Sequence, residues 1–199
     1  MGSVNSALDI PRIFTISESA HRIHNPFTSE KFATLGAALR LEPGMRILDL
    51  GSGSGEMLCT WARDHGVTGA GIDMSQLFFA QAKRRAEELG VTDLVKFIHA
   101  DAVGYIAEEK VHVAACVGAT WIGGGVAGTI ELLAKSLGVG GIILIGEPYW
   151  LRAPATEDVA KGCGAGAISD FFTLPQLLSF FDDLSYDVVE MVLADQEGW

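Results

Sequence analysis

The stretch that most constrains the fold runs from Arg46 to Glu56 and reads Arg-Ile-Leu-Asp-Leu-Gly-Ser-Gly-Ser-Gly-Glu. Its first five residues are a short, mostly apolar run with Asp49 near the end, which is typical of a buried parallel strand. The alternating glycines that follow allow a tight turn and the close approach of a ligand to the backbone. Apolar residues then recur at helical spacing, so the stretch predicts a strand, a glycine turn and a helix. The N-terminus of that helix offers unpaired N–H groups to a polar ligand.

The spacing of the glycines separates two kinds of binding turn. A dinucleotide-binding G-x-G-x-x-G fingerprint needs its third glycine at position 56, where this chain has Glu56. The spacing here is G-x-G-x-G, and Asp49 lies two residues before Gly51. The stretch therefore resembles the first motif of the class I S-adenosylmethionine-dependent methyltransferases, whose turn holds the methionine and ribose part of the methyl donor. A glycine turn that only closes a strand–helix unit is the alternative.

Composition and charge limit the kind of partner. The chain has 199 residues, of which 49% are hydrophobic, and this suits one domain with a substantial core. The net charge of −11 argues against nucleic acids and anionic membranes, which bind clustered Lys and Arg, and favours a small-molecule partner. The three cysteines form no C-x-x-C pair, which indicates reduced thiols with neither a disulfide framework nor a metal site. Because the sequence has no signal-peptide pattern and no apolar run long enough to span a membrane, we expect a cytoplasmic protein.

Strand and helix patterns alternate along the chain. Strands are predicted over residues 46–50, 68–72, 95–100, 111–117, 142–145 and 186–194. The alternation predicts an α/β fold with a Rossmann-like, doubly wound and mostly parallel sheet flanked by helices. Ligands of such sheets bind outside the carboxyl ends of the strands. We expect a single domain overall, in which residues 1–44 form an N-terminal lid segment and covering helix and residues 45–199 form the S-adenosylmethionine-binding core.

The end of the chain departs from the family pattern. The resemblance covers roughly residues 45–194, and the family sheet usually has a seventh, antiparallel strand between the fifth and sixth. No sequence remains here to form that strand. The predicted sixth strand then lies beside an unpaired slot, which favours a shortened version of a longer protein. The alternatives are a homodimer that pairs through the open sheet edge and a sixth strand that pairs directly with the fifth.

The resemblance implies a set of donor-binding residues. Asp73 lies 22 positions after Gly51, near the distance at which an acid after the second strand reaches the ribose hydroxyls. In the family, the position of Met74 lies against the adenine, that of Asp101 reads the adenine amino group, and that of Ala102 gives a backbone N–H to the ring. The resemblance also implies donor contacts from the first strand with its glycine turn and from the end of the fourth strand. These residues are Asp49, Gly51, Gly53, Gly55, Val117 and Gly118. For either acid after a strand, a helix N-cap or a solvated strand end is the alternative.

Candidate catalytic residues lie on the acceptor side. Methyl transfer from a sulfonium is an in-line displacement that depends mainly on orientation, and a general base is needed only if the acceptor must lose a proton. The candidates are His21 and His24 on the N-terminal segment, with Glu147 and Tyr149 after the fifth strand. Trp121, Tyr149 and Trp150 are candidates for the wall of an apolar pocket. Solvated histidines, an ion-paired Glu147 and core aromatic residues are the alternatives.

Together these patterns predict a transferase that moves a methyl group from S-adenosylmethionine to a small-molecule acceptor. Two other functions fit parts of the sequence. One is a non-catalytic module that binds S-adenosylmethionine or S-adenosylhomocysteine for a partner. The other is a nicotinamide-dependent reductase, which Glu56 and the lack of a Tyr-x-x-x-Lys pair both disfavour.

Overall fold

The computed structural model describes residues 9–194. They divide into two compact units, one of residues 9–146 with 192–194 and the other of Glu147–Met191.

The first unit is built on a five-stranded parallel sheet in the order β3-β2-β1-β4-β5. Its central strand, β1, pairs on both sides, so that Leu48 lies opposite Ala70 of β2 and Ala114 of β4. Strands buried on both faces carry continuous apolar runs, and Ile47, Leu48 and Leu50 are almost fully buried. The predicted α/β fold class is confirmed. The strands are β1 Arg46–Leu50, β2 Thr68–Asp73, β3 Val95–His99, β4 Val111–Val117 and β5 Leu137–Gly146.

Helices cover both faces of this sheet, and an apolar core fills each side. Two of the helices begin at side-chain caps, because the Thr28 and Ser75 hydroxyls accept from the N–H groups of Lys31 and Phe78. The Trp61 indole N–H donates to the Phe32 carbonyl at 2.9 Å and fixes one helix on another. The helices of this unit are α1 Arg12–Glu18, α2 Ser29–Ala38, α3 Glu56–His65, α4 Gln76–Glu88 and α5 Val126–Ala134, with a 3₁₀ turn at Thr120–Gly123.

The turn between β1 and α3 requires its glycines for two physical reasons. Gly51, Gly53 and Gly55 have φ of +74°, +52° and +74°, in the left-handed region that L side chains rarely adopt. Space is equally limiting, since a Cβ on Gly55 would lie 2.6 Å from Cζ of Phe97 and 2.8 Å from Cβ of Ala82. The backbone can therefore run close to β3 and α4, and the Gly51 and Ser52 N–H groups donate to the Ile72 carbonyl of β2.

The second unit consists of two helices around an aromatic cluster. These are α6 Glu157–Gly162 and α7 Leu174–Asp183, with a 3₁₀ turn at Ile168–Asp170. The Trp150 indole N–H donates to the Ile168 carbonyl at 3.0 Å, and its ring meets Phe171 edge-on. The predicted capping box is present at the start of α7, where the Thr173 N–H donates to the Gln176 side chain at 2.9 Å.

The prediction of a sixth strand over residues 186–194 is wrong. These residues are irregular, and Val189 is 77% exposed. Their β-branched composition gives strand propensity, but a strand also needs a hydrogen-bonded neighbour, and the described sheet ends at β5. Within residues 9–194 there is neither a sixth nor a seventh strand, and a homodimer through an open sheet edge stays a prediction.

None of the helices in residues 9–194 combines the length and the apolar character that crossing a membrane requires.

Candidate functional site

A pocket of about 650 Å³ lies in the first unit. Its floor comes from the loops that follow the parallel strands, as expected for a sheet of this kind. The N-terminal segment supplies further walls, from Ile10 to Asn25. The volume lies within the range of ordinary small-molecule sites.

Most of the donor-binding residues expected from the sequence line this pocket. The structure brings eight of them together from the ends of four strands: Asp49, Gly51, Gly53, Asp73, Met74, Ala102, Val117 and Gly118. Two others do not line it. Gly55 is buried against Phe97 at the N-cap of α3, and Asp101 is an exposed carboxylate that accepts from the Val103 N–H at 2.9 Å. Their part in donor binding stays a prediction.

Asp49 is a buried carboxylate at the end of the central strand. It is only 3% exposed, and desolvation, with a further contribution from the charge of Asp73, raises its pKa to about 7. A cation placed beside it stabilises the ionised form. The lining near Asp49 is therefore suited to a positively charged ligand.

Asp73 is oriented by the glycine turn itself. Its Oδ2 accepts from the Gly53 N–H at 2.8 Å and its Oδ1 from the Ser75 N–H at 2.8 Å. Burial raises the pKa of this carboxyl, and the two backbone hydrogen bonds oppose that rise. Each carboxylate oxygen keeps acceptor capacity for a ligand, so the group can accept from two neighbouring hydroxyls.

His24 lies directly over the glycine turn. A Cβ on Gly53 would be 2.7 Å from His24 Nδ1, and the imidazole packs on Phe78 with 4.1 Å between ring centroids. Its Nε2 is buried and has no hydrogen-bond partner among residues 9–194. Burial lowers the pKa of this imidazole below 6.5 and outweighs the nearby carboxylates, so the ring is neutral at pH 7. His21, the other candidate on this segment, is exposed, does not line the pocket and lies 3.0 Å from Glu18.

Asn25 is a pocket residue that the sequence reasoning missed. Its side-chain N–H donates to the Val117 carbonyl at 3.3 Å, and its Oδ1 occupies the space in which Gly118 would carry a Cβ. The N-terminal segment is thus joined to the end of β4, 92 residues later in the chain. The signal available in the sequence was a polar side chain directly after His24.

Further contacts hold the N-terminal segment on α3 and α4. The Ser54 hydroxyl donates to the Arg22 carbonyl, and the Gln81 amide donates to the Ser19 carbonyl at 2.9 Å. Glu56 receives two hydrogen bonds from Arg85, at 2.6 and 2.8 Å, and lies 3.9 Å from Arg22. The residue that replaces the third glycine of a dinucleotide fingerprint therefore serves as a buried ion-pair partner.

Glu147, Tyr149 and Trp150 belong to the second unit, where Trp150 packs in the aromatic cluster. Their predicted part in an acceptor site stays a prediction. In the described part of the chain, no group of three or more His, Cys, Asp or Glu side chains is arranged to hold a metal ion.

The site as a whole fits a polar, positively charged ligand with vicinal hydroxyls. It combines a glycine cradle, an oriented carboxylate, a buried carboxylate and two buried polar atoms without partners among the described residues, Ser52 Oγ and His24 Nε2. Most buried polar atoms are hydrogen-bonded to protein or ordered water, so these two atoms keep hydrogen-bonding capacity.

Comparisons with known proteins agree with this geometry. The family described as "Methyltransferase domain" matches residues 47–141. YjhP of Escherichia coli strain K12 is 75% identical over 192 residues, which are 96% of this chain and 77% of YjhP.

Two solved structures resemble the whole described fold, and each was determined in complex with S-adenosyl-L-homocysteine. A methyltransferase from Geobacter sulfurreducens has a TM-score of 0.95 and 77% identity, and one from Thiobacillus denitrificans has a TM-score of 0.93 and 73% identity. Each comparison covers 96% of this chain and 77% of the other.

Proposed function

The chain belongs to the family of S-adenosylmethionine-dependent methyltransferases, and on this premise we propose that its pocket binds the methyl donor beside a small-molecule acceptor and transfers the methyl group between them. The observation that carries the proposal is the pocket of about 650 Å³ that joins the glycine turn, Asp73 and the N-terminal segment.

The donor binds through the carboxylates and the glycine turn. Asp73, held by Gly53 and Ser75, accepts from the ribose hydroxyls, and Asp49 stabilises the positive charge at the methionine end. The turn glycines let the donor lie against the backbone. When bound, S-adenosylmethionine supplies a methyl group already activated on a sulfonium.

The size of the pocket and the charge of the chain support a small acceptor. Side chains of the N-terminal segment line the pocket from Ile10 to Asn25, so the donor and the acceptor share a limited volume. A net charge of −11 disfavours the phosphate backbone of a nucleic acid. What remains is a molecule that fits beside the donor and is held there mainly by apolar contacts.

His24 is the general base in this proposal. It lines the pocket, its Nε2 has no hydrogen-bond partner among the described residues, and the lowered pKa keeps the ring unprotonated at neutral pH. The acceptor atom bonds to the methyl carbon as the carbon–sulfur bond breaks, sulfur keeps the electron pair, and the His24 imidazole takes the proton from the acceptor. The apolar lining excludes water from the reacting atoms.

Calorimetry tests the donor half of the proposal. S-adenosylmethionine, S-adenosylhomocysteine and NADH are titrated into the purified protein in parallel. Saturable binding of the first two and none of the third is expected. Tight binding of NADH alone would instead support the alternative function, a nicotinamide-dependent reductase.

A turnover assay tests the acceptor half. S-adenosylhomocysteine release is followed with a panel of small hydroxyl and amine compounds, and in parallel with bulk RNA and protein. Release that depends on a small molecule is expected. Release only with a macromolecule contradicts the small-molecule acceptor, and binding without turnover on every panel member supports a non-catalytic module.

A further inference from the structure

Apolar side chains from two segments line the pocket, and two of them are largely exposed. The N-terminal segment contributes Ile10, Pro11, Phe14 and Ile23, and the 3₁₀ turn after β4 contributes Trp121 and Ile122. Phe14 is 55% exposed and Trp121 is 58% exposed, although both line the pocket. Exposed aromatic surface at the edge of a pocket is available to pack against an apolar ligand.

The charged groups of the pocket are predominantly acidic. Four carboxylates line it, those of Glu18, Asp49, Glu56 and Asp73, whereas Arg22 is its one Arg or Lys side chain among the described residues. Arg22 has acidic neighbours of its own, because its guanidinium lies 3.3 Å from Glu88 and 3.9 Å from Glu56. The Arg22 guanidinium, which would have to bind an anionic acceptor, is therefore already close to the carboxylates of Glu56 and Glu88.

Among the described residues, the carboxylates of Asp49 and Asp73 have no Arg or Lys ion-pair partner. No ion pair joins Asp49 or Asp73 to an Arg or Lys within residues 9–194, and Asp73 is held by neutral backbone N–H groups. The donor brings one net positive charge to this pair of carboxylates. With the donor bound, an anion beside it still meets a negative potential in a poorly solvated site, and like charges there cost more than in water.

Building on the proposed function, we infer that the acceptor is a mainly apolar small molecule, uncharged or cationic, that lies against Phe14 and Trp121, and that carboxylate-bearing molecules of the same shape are rejected. Apolar contact with the two aromatic side chains supplies the affinity, and the acidic lining supplies the selection by charge.

The test uses protein saturated with S-adenosylhomocysteine and two probe sets that differ only in charge. One set is octanol, octylamine and octanoate; the other is 2-naphthalenemethanol, 2-naphthalenemethylamine and 2-naphthoate. In at least one set, the neutral and cationic members are expected to bind about tenfold or more tightly than the anion, which is the effect of one unfavourable charge contact in such a site. Measurement in 0.5 M salt as well as low salt removes the general repulsion by the net charge of the chain.

The variant Trp121→Ala tests whether the probe binds against the Trp121 side chain. It is expected to weaken the neutral member about tenfold while the S-adenosylhomocysteine affinity stays within about twofold, and Trp121→Phe is expected to restore most of the loss because it keeps an aromatic face. Trp121 is largely exposed, so neither variant removes core volume.

Three results overturn the inference: an anion that binds as tightly as its neutral partner in high salt, no probe binding in either set, or probe binding that Trp121→Ala leaves unchanged. In each of these the donor product is already bound, so the proposed donor site stands. Failure of S-adenosylhomocysteine to bind is a different result and overturns the proposed function itself.

Discussion

The Asp73 carboxylate accepts a hydrogen bond from the Gly53 N–H at 2.8 Å, across the 20 residues that separate the end of β2 from the glycine turn. With the second bond from Ser75, this contact aims the carboxylate before any ligand arrives. A pre-oriented acceptor group loses little conformational entropy when the ligand binds.

Asp73→Ala is expected to raise the Kd for S-adenosylhomocysteine about 10- to 100-fold, since hydrogen bonds to a charged group contribute about 1.5–3 kcal/mol each. It also leaves the Gly53 and Ser75 N–H groups without this acceptor, so a Tm lowered by several degrees is expected as well. Calorimetry and thermal unfolding measure the two effects. Asp93→Ala is the matched control, because Asp93 is an exposed acid in the turn before β3. An unchanged Kd in Asp73→Ala contradicts the ribose assignment.

Asp49 predicts a pH dependence of donor binding. Burial raises its pKa to about 7 from an ordinary 3.8, and a bound cation favours the ionised form. Affinity for S-adenosylmethionine is therefore expected to increase as the pH rises through 7, with release of a proton on binding. Calorimetry in buffers of different ionisation enthalpy counts that proton. Asp49→Asn removes the proton release, and release that persists in this variant contradicts the assignment to Asp49.

The same carboxyl predicts how stability depends on pH in the absence of ligand. Between about pH 4 and pH 7 the unfolded chain has lost the Asp49 proton while the folded chain keeps it, so the free energy of unfolding falls as the pH rises through this window. The Tm of Asp49→Asn minus that of the parent is expected to be larger at pH 8 than at pH 5. An equal difference at both pH values shows that the carboxyl is not desolvated.

His24 predicts the acid limb of the rate profile. Desolvation lowers its pKa below 6.5, against the opposing influence of Glu18 and Asp73, so the limb is expected below pH 6.5. Once an acceptor is known, His24→Gln is expected to lower kcat about 10²–10⁴-fold, the usual contribution of a general base, and to remove the limb. His21→Gln is the control, because His21 is exposed beside Glu18. If His24→Gln keeps the parent kcat and the acid limb of the pH–rate profile, His24 is not the general base.

Much of the fold and of the pocket lining was predictable because the signals for both are local. An apolar run, glycines at fixed spacing and an acid after a strand each depend on neighbouring residues, and they located β1 to β4 and the positions of Asp49 and Asp73. The contacts of His24 and Asn25 were not predictable, since each depends on where a distant turn or strand end lies. The error at residues 186–194 has a similar cause, because strand propensity is local and strand pairing is not.

Glu56 is only 8% exposed and receives two hydrogen bonds from Arg85. Removing Arg85 leaves the buried Glu56 carboxylate with only Arg22, which is half-exposed and 3.9 Å away, so Arg85→Ala is expected to lower the free energy of unfolding by about 3 kcal/mol. Arg84→Ala, at the exposed neighbouring position of α4, is the control and is expected to change it by less than about 0.5 kcal/mol. Denaturant unfolding measures both variants. The double variant Arg85→Ala/Glu56→Gln is expected to recover part of the loss, because the buried carboxylate is then replaced by a neutral amide. Equal destabilisation by Arg84→Ala and Arg85→Ala would show that helix propensity, and not the ion pair, accounts for the effect.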